Sequence, residues 1–506
     1  MQMHRAVLSL SLLGVAATAS GLEFGPVGPR SVGMGGASVA TSEDGLMQQH
    51  NPAFLADSPR SGMIRSGRYG LNLVDASVSA AMVGDIGDYF DLLADIDIDT
   101  LSMKDEIEDW TDEDIEDILA IAAALAGVER PGNGILISAN AGSSLRLGRF
   151  AIGARVRGQA SLWVDEIDRE RLGFIDNGDI NDAIGNARDG DSRFNSGSHQ
   201  IGTLNPDQTS RLNDILDGNS DNVSYIDYLL GNLIDDGVVR RSDLDDAIDV
   251  ISDFAEQFAL ESDGSNDFDN NQSRVTARGI GIAEVPISYG REINDMFAVG
   301  ITLRLMMGRV YGTSVYVFDD DNDEAIQEID SNWNESFNAT VDVGVRAQVT
   351  PLLTLAAVGR NLTRPKFEGF DQEVLINGQE VGLRVPDITL DPQITVGAAL
   401  SLPTRLTLTA EVDVLKTESM LPGYDNQFVR AGVEWDPIRF IPLRAGVSRN
   451  IAESSEDFSV HAGLGLNFWL ARLDLAGHYS IGDTVTYDGD KYPQRAGVSL
   501  GISAGF

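Results

Sequence analysis

Residues 495–506 read RAGVSLGISAGF. Successive side chains of a strand point to opposite faces, so Ala496, Val498, Leu500, Ile502, Ala504 and Phe506 share one side of an extended chain. Gly497, Ser499, Gly501, Ser503 and Gly505 share the other. One face is apolar and the other small and polar, which suits a strand with lipid outside and an aqueous lumen inside.

The same two-residue period recurs upstream. In FNATVDVGVRAQV (337–349), Phe337, Val341, Val343 and Val345 alternate with Asn338, Thr340, Asp342 and Arg346. In RLTLTAEVDVLK (405–416), Leu406, Leu408, Ala410, Val412 and Val414 alternate with Thr407, Thr409, Glu411 and Asp413. The pattern predicts about fourteen strands, near 62–83, 134–146, 149–163, 274–290, 296–317, 335–350, 352–363, 391–402, 404–415, 427–436, 438–449, 457–469, 471–481 and 493–506. A soluble β-sandwich also alternates. Its strands usually run to about 5–6 residues, however, whereas many of these reach the ~9–11 of a tilted membrane strand.

The connections decide the matter. LGRF, EINDM, TPL, PTR, DPI and WLA are tight turns, and they alternate strictly with the long connections 84–133, 164–273, 318–334, 364–390, 416–426, 450–456 and 482–492. Short turns at one end and long loops at the other belong to a membrane barrel, and an even strand count puts both termini at the short-turn, periplasmic side. Trp435, Phe440, Phe468, Trp469 and Phe506 fall beside the short turns, where an interfacial aromatic girdle sits. The fold expected is an all-β, about 14-stranded antiparallel outer-membrane barrel, residues 61–506, with an N-terminal plug at 20–60.

Composition agrees. The 506 residues carry 37 basic and 78 acidic side chains, a formal net charge of −41, which repels phosphate backbones and argues against nucleic acid as a partner. There is no cysteine, hence no disulfide, thiolate metal site or thiol nucleophile. MQMHRAVLSLSLLGVAATAS opens with a basic start (His4, Arg5), continues with an apolar run and offers Ala17-Thr18-Ala19 to a small-x-small peptidase, which predicts an export signal over 1–19. Much of the acidity lies in the inserts at about 84–133 and 164–273. There the apolar period changes to helical: Ile107, Trp110, Ile115, Ile118, Leu119 and Ala122 can share a face. These inserts are expected as helical extracellular caps whose charges face water, with outer-membrane lipid and lipopolysaccharide as surroundings.

The residues hold no catalytic or cofactor constellation. GMGG (33–36) lacks the strand before it and the Lys-Ser/Thr after it that a phosphate loop requires. DDDNDE (319–324) has Glu324 where a calcium loop needs glycine and Asp330 where it needs the terminal glutamate, so it reads as a solvated acidic loop ahead of a weak surface calcium site. His4, His50, His199, His461 and His478 show no metal spacing, and no serine sits in a G-x-S-x-G elbow. No enzyme activity, cofactor or metal is expected. The alternation aims Arg155, Arg157, Arg304, Asp342, Arg346, Arg360, Glu411, Asp413, Arg430, Glu434, Arg444, Arg472, Asp474 and Arg495 into the lumen, because a charge on the lipid face costs about 2–4 kcal/mol near the midplane. There they are expected to pair across neighbouring strands, to line a charged path or to dock a plug.

The N-terminal stretch GPRSVGMGGASVATSEDGLMQQHNPAFLA (28–56), set before such a barrel, resembles the long-chain fatty-acid transporter superfamily, which joins a glycine-rich segment and an Asn-Pro-Ala motif to a fourteen-stranded barrel. With FVRAGVEWDPIRFIPLRAGVSRN (428–450), it resembles more closely the FadL-like outer-membrane barrel family catalogued as conjugal transfer protein TraF. The resemblance implies that Asn51, Pro52 and Ala53 form a hatch or gate inside the barrel. It also implies passage of small hydrophobic molecules from the external face with lateral exit, or, on the TraF label, a scaffold that docks conjugation or secretion partners through its acidic loops. The terminal Phe506 looks like the signal by which such strands engage the barrel-assembly machinery. Fourteen strands enclose a hole that side chains alone do not fill. Gly33, Gly35 and Gly36 are therefore expected to bring plug backbone against the wall, with Pro52 fixing a turn and Asn51 bonding the backbone there.

Overall fold

A computed structural model describes residues 25–41, 45–56, 69–84, 110–169, 180–194, 201–258, 272–316, 333–376, 379–438, 440–453, 456–468, 471–482, 484–487 and 490–505, with a few single positions between them. The stretch 1–19 expected as an export signal, Phe506, Trp469 and the acidic run 319–324 lie outside the described residues.

Fourteen strands close into one antiparallel barrel in chain order. They are β1 (Tyr69–Val83), β2 (Gly134–Leu147), β3 (Phe150–Glu166), β4 (Arg274–Glu292), β5 (Phe297–Tyr316), β6 (Trp333–Gln348), β7 (Leu353–Arg360), β8 (Gln393–Leu402), β9 (Leu406–Asp413), β10 (Phe428–Trp435), β11 (Leu443–Asn450), β12 (Ser459–Phe468), β13 (Ala471–Ser480) and β14 (Arg495–Gly505). The seam is β14 on β1, from Gly70 opposite Gly505 to Ala81 opposite Arg495. The expected barrel and strand count hold. Where boundaries differ, the backbone gives the reason. β11 starts at Leu443 rather than 438 because Pro437 and Pro442 cannot donate to a ladder. β7 stops at Arg360 because Asn361 takes a left-handed φ of 53°.

Outward-facing Val78, Ile152, Val156, Ile287, Ile301, Leu305, Leu408, Val447, Leu475 and Leu500 are exposed, so the exterior is an apolar belt of the kind a barrel presents to lipid. At the short-turn end Phe150 packs on Tyr289 with ring centroids 4.8 Å apart, and Phe297, Trp435, Phe440 and Phe468 are exposed beside the turns. These rings form the aromatic girdle on that rim. No helix among the described residues is long and apolar enough to cross a membrane.

The wall is taller on one side. β4 and β5 run 19 and 20 residues, whereas β7, β9, β10 and β11 run 8 each. At about 3.3 Å per residue, the long strands extend well beyond an apolar band ~25 Å tall. Helices crown this tall side: α3 (Asp112–Val128) between β1 and β2, and α4 (Ile180–Gly190), α5 (Pro206–Ile215), α6 (Ser220–Asp235) and α7 (Leu244–Phe258) between β3 and β4. Two short helices precede the barrel, α1 (Pro29–Gly33) and α2 (Met47–His50). Thr111 and Asp114 cap α3 reciprocally. One-sided amphipathicity was expected of α3, but it is buried all round from Ile118 to Val128, because α7, α4 and α6 pack around it. Leu119, Ile184, Leu212, Tyr225, Leu229 and Ile248 belong to the shared core of this cap.

Candidate gate and lumen

The segment from Val27 to Ala56 lies inside the barrel, and each of its described residues is buried. Pro29 opens α1 at a position where its missing N–H costs no hydrogen bond. The turn after α1 places Gly35 and Gly36 at φ of 72° and 88°. A β-carbon on Gly35 would meet the carbonyls of Ala431 and Val447 at 2.6 Å, so only glycine fits both the conformation and the approach. A β-carbon on Gly33 would stand 3.0 Å from the Cα of Gly463. Asn51 follows α2, and Pro52–Ala56 forms a 3-10 turn.

The Asn51-Pro52-Ala53 turn rests on a floor of wall glycines. Gly290, Gly300 and Gly344 stand in register across β4, β5 and β6. A β-carbon at Gly300 would overlap the backbone of Pro52 and Ala53, and one at Gly344 would overlap the Asn51 amide. The Asn51 Nδ2 group donates to the carbonyls of Val345 and Ala357 on the wall and of Val39 in the hatch, each at 3.2 Å, while its Oδ1 accepts from Ala53 N at 2.9 Å. Asn51 therefore joins the hatch to itself and to the barrel.

Charged side chains fasten the rest. Arg30 of α1 donates to both carboxylate oxygens of Glu434, at 2.8 and 2.9 Å. Glu411 Oε2 accepts from Ser38 N and Val39 N, each at 2.9 Å. Arg360 donates to the His50 carbonyl at 2.9 Å. His50 donates from Nε2 to the Val27 carbonyl and His461 from Nδ1 to the Val32 carbonyl, both at 2.8 Å. Burial of the imidazole, ahead of the nearby Arg30 and Arg360 charges, lowers the pKa of His50 to about 4.

The remaining inward charges pair in two groups. On the tall wall, Arg155 grips Asp75 with two nitrogens at 2.8 and 2.7 Å, Arg157 contacts Glu284 at 3.2 Å, and Arg304 bridges Glu284 (2.9 Å) and Asp342. Arg346 lies over the Phe54 ring of the hatch. On the short wall, Arg430 pairs with Asp413 at 2.9 Å and stands 3.9 Å from Glu411. Arg444 bridges Glu434 (2.7 Å) and Asp474 (2.8 Å), and Arg472 pairs with Asp474 at 2.6 Å. Most pairs join adjacent strands, while Arg155–Asp75 and Arg444–Asp474 each skip one. Ionised pairs at this depth hold only because both members are present, since removing one strands the other at a cost of about 3–5 kcal/mol.

Several of these residues escaped the sequence reading. Asp75 was hidden by a β-bulge: Leu73 and Val74 both face outward, so the parity of β1 inverts between Asn72 and Asp75 and both of those face inward. Glu284 sits where β4 is apolar on both faces, which removes the alternation that would flag it. Arg30 and the floor glycines lacked a local signal altogether, because their partners are remote in sequence.

At the long-loop end, two connections fold into the lumen. Ile280 and Ile282 of β4 and Met306 and Val310 of β5 point inward and pack against Phe367, Val385, Ile388 and Leu390 of the 361–392 connection, forming an apolar collar. Gly308 and Gly312 leave the space that Phe367 and Val385 fill. The 414–427 connection crosses the lumen from β9 and β10 to β2 and β3. There Leu421 and Tyr424 pack with Ala81, Val83 and Leu136, Gly132 N donates to the Pro422 carbonyl at 2.7 Å, and Ser161 Oγ donates to the Met420 carbonyl at 3.2 Å. In strand order these attachments lie on opposite sides of the ring. The Tyr424 hydroxyl accepts from Arg495 at 2.7 Å and from Asn450 at 3.1 Å and is bonded to Glu456. Among the described residues no cluster of three or more His, Asp or Glu side chains could hold a metal ion.

Comparisons with known proteins follow the barrel. Among solved structures the chain is similar to the toluene transporter TbuX of Ralstonia pickettii (11% identity, 95% of this chain and 98% of that one covered, TM-score 0.45). It is also similar to the toluene transporter TodX of P. putida (11% identity, 96% and 99% covered, TM-score 0.45) and to a FadL homologue of Pseudomonas aeruginosa (10% identity, 97% and 100% covered, TM-score 0.44). No curated protein matches. A family model described as "F plasmid transfer operon, TraF, protein" matches residues 48–414, from the hatch helix before Asn51 through β1 to β9 and the helical caps between them. That span exceeds half of the sequence, and the chain belongs to this TraF family.

Proposed function

We propose that the chain is an outer-membrane barrel that takes small hydrophobic molecules from the external face and holds or releases them past a hatch. The apolar collar carries this reading. The interior of a diffusion pore is polar and wet, yet Ile280, Ile282, Met306 and Val310 turn apolar side chains inward at the long-loop end. Phe367, Val385, Ile388 and Leu390 occupy that surface here and stand in for the apolar ligand that would displace them. Below the collar, the hatch held by Asn51 and Arg30 blocks free diffusion, and the Asn51-Pro52-Ala53 turn is the element that must shift for passage.

The test is binding of a labelled alkylbenzene to the detergent-purified protein. Saturable binding is expected, with affinity at least tenfold lower in Ile282→Glu or Met306→Glu. An absence of saturable binding, or affinity unchanged in both variants, overturns the reading.

A second reading, a scaffold that docks conjugation or secretion partners, is favoured by the helical cap, which has its own apolar core. Pull-down with and without residues 170–270 separates the two: loss of partners with ligand binding intact leaves uptake standing beside a docking role.

A further inference from the structure

Between the hatch and the 414–427 crossbar lies a partly enclosed chamber of about 80 Å³. Pro26, Val32 and Gly35 of the hatch form its floor, and Ala81 and Leu136, which support Leu421, form part of its roof. One water takes roughly 10–15 Å³ on this measure, so the chamber suits a compact molecule of about six to eight non-hydrogen atoms.

Its lining states what that molecule should be. One side is flat and aromatic: His461 and His478 stack at 4.9 Å and 21°, with Phe428 also on the lining. Beside His478, across Gly497, stands Ser79, and Ser138 and Asn140 are also on the lining; Ser79 and Ser138 bond each other at 2.8 Å, and Asn140 donates to Ser77 and accepts from Arg155 at 2.8 Å. The cationic groups are already neutralised, Arg430 by Asp413 at 2.9 Å and Arg495 by Glu456 at 2.9 Å, so the chamber offers little to an anion. One polar atom is left over. His478 Nδ1 is buried and has no hydrogen-bond partner, whereas both ring nitrogens of the neighbouring His461 are engaged by Val32 and Ser448. A buried imidazole nitrogen left unpaired is destabilising, and a ligand hydroxyl would satisfy it.

We propose that this chamber binds a small uncharged planar molecule bearing a hydroxyl group, of the phenol class, with the ring against the histidine pair and the hydroxyl on His478 Nδ1. The proposal rests on the uptake reading and narrows it: the apolar collar admits the ring, and the chamber selects the polar handle.

Titration of the full-length detergent-purified protein with phenol, toluene and benzoate, followed by calorimetry or ligand-observed NMR, tests it. Phenol is expected to bind at least tenfold more tightly than toluene or benzoate. His478→Phe, which keeps the ring and removes the nitrogen, is expected to abolish that preference. Ser138→Met, which fills the chamber, is expected to abolish phenol binding, and circular dichroism confirms that both variants fold. Equal affinity for phenol and toluene, or phenol binding unchanged in both variants, overturns the proposal. The two readings fail separately. Saturable alkylbenzene binding sensitive to Met306→Glu but without phenol preference removes the chamber assignment alone. Phenol binding sensitive to His478→Phe without any collar-dependent alkylbenzene binding removes the collar.

Discussion

Arg30 and Glu434 are 404 residues apart in the chain and 2.8 Å apart in the barrel. The pair ties the first helix of the hatch to the wall, and Glu434 also takes Arg444 at 2.7 Å. The partners are therefore unequal. Glu434→Ala takes the carboxylate from Arg30 and one of two carboxylates from Arg444, which keeps Asp474, and is expected to lower stability by about 3–5 kcal/mol, whereas Arg30→Met leaves Glu434 its other arginine and is expected to cost less. Urea unfolding in lipid measures both, and equal losses would refute the assignment of Glu434 as the hub.

The glycine floor is expected to be the more sensitive support. Gly300→Val forces bulk into the backbone of Pro52 and Ala53, with an overpacking cost of about 1–3 kcal/mol. Asn51→Ala removes the donor to Val345 and Ala357 and the acceptor for Ala53 N, leaving buried groups unpaired at about 1–3 kcal/mol. Both changes act at the hatch rather than on the ladder. The barrel is expected to keep its β-sheet spectrum while ion conductance in planar bilayers rises several-fold over wild type. Conductance unchanged in both variants would show that the Asn51-Pro52-Ala53 turn does not gate.

His50 gives the hatch a pH dependence of known sign. Its folded pKa, about 4, lies below the unfolded value near 6.5, because the buried ring stays neutral while donating to Val27. Between these values the unfolded chain binds the extra proton. The stabilisation is complete above pH 6.5 and falls as pH drops towards 4, by about 1.4 kcal/mol per unit. His50→Gln removes the titrating group. The stability difference between wild type and His50→Gln is therefore expected to shrink steadily from pH 6.5 to 4, and parallel pH profiles would exclude His50 as the source.

What could be read in advance follows from how local each signal is. Strand alternation and turn rhythm need only neighbouring residues, so RAGVSLGISAGF and its counterparts disclosed the barrel and its count. Arg304 and Asp342 showed their inward direction for the same reason. A single extra residue defeated the method at Asp75, since the Leu73–Val74 bulge reverses the parity on which the reading depends. The collar was hidden differently: Ile280 and Ile282 look like lipid-facing residues until the 361–392 connection is seen folded against them. The resemblance placed Asn51, but the glycines beneath it are separate in sequence and meet only through strand register.

The crossbar makes a final expectation. Leu421 is buried against Ala81, Val83 and Leu136 on the wall opposite its own strands, and Ala81 and Leu136 also line the chamber. Leu421→Asp places a carboxylate among these apolar groups, and lifting the crossbar into water is the cheaper outcome, because an unpaired buried charge costs several kcal/mol. The chain contains no cysteine, so a single Ser138→Cys reports on the chamber without interference. A water-soluble maleimide is expected to label Ser138→Cys slowly in the parent and at least tenfold faster with Leu421→Asp. Tyr424→Phe, which loses the hydroxyl shared with Arg495 and Asn450 but keeps the apolar contact, is expected to fall between them. Equal labelling rates in all three would mean that the crossbar does not control access, and that solvent reaches the chamber by another route.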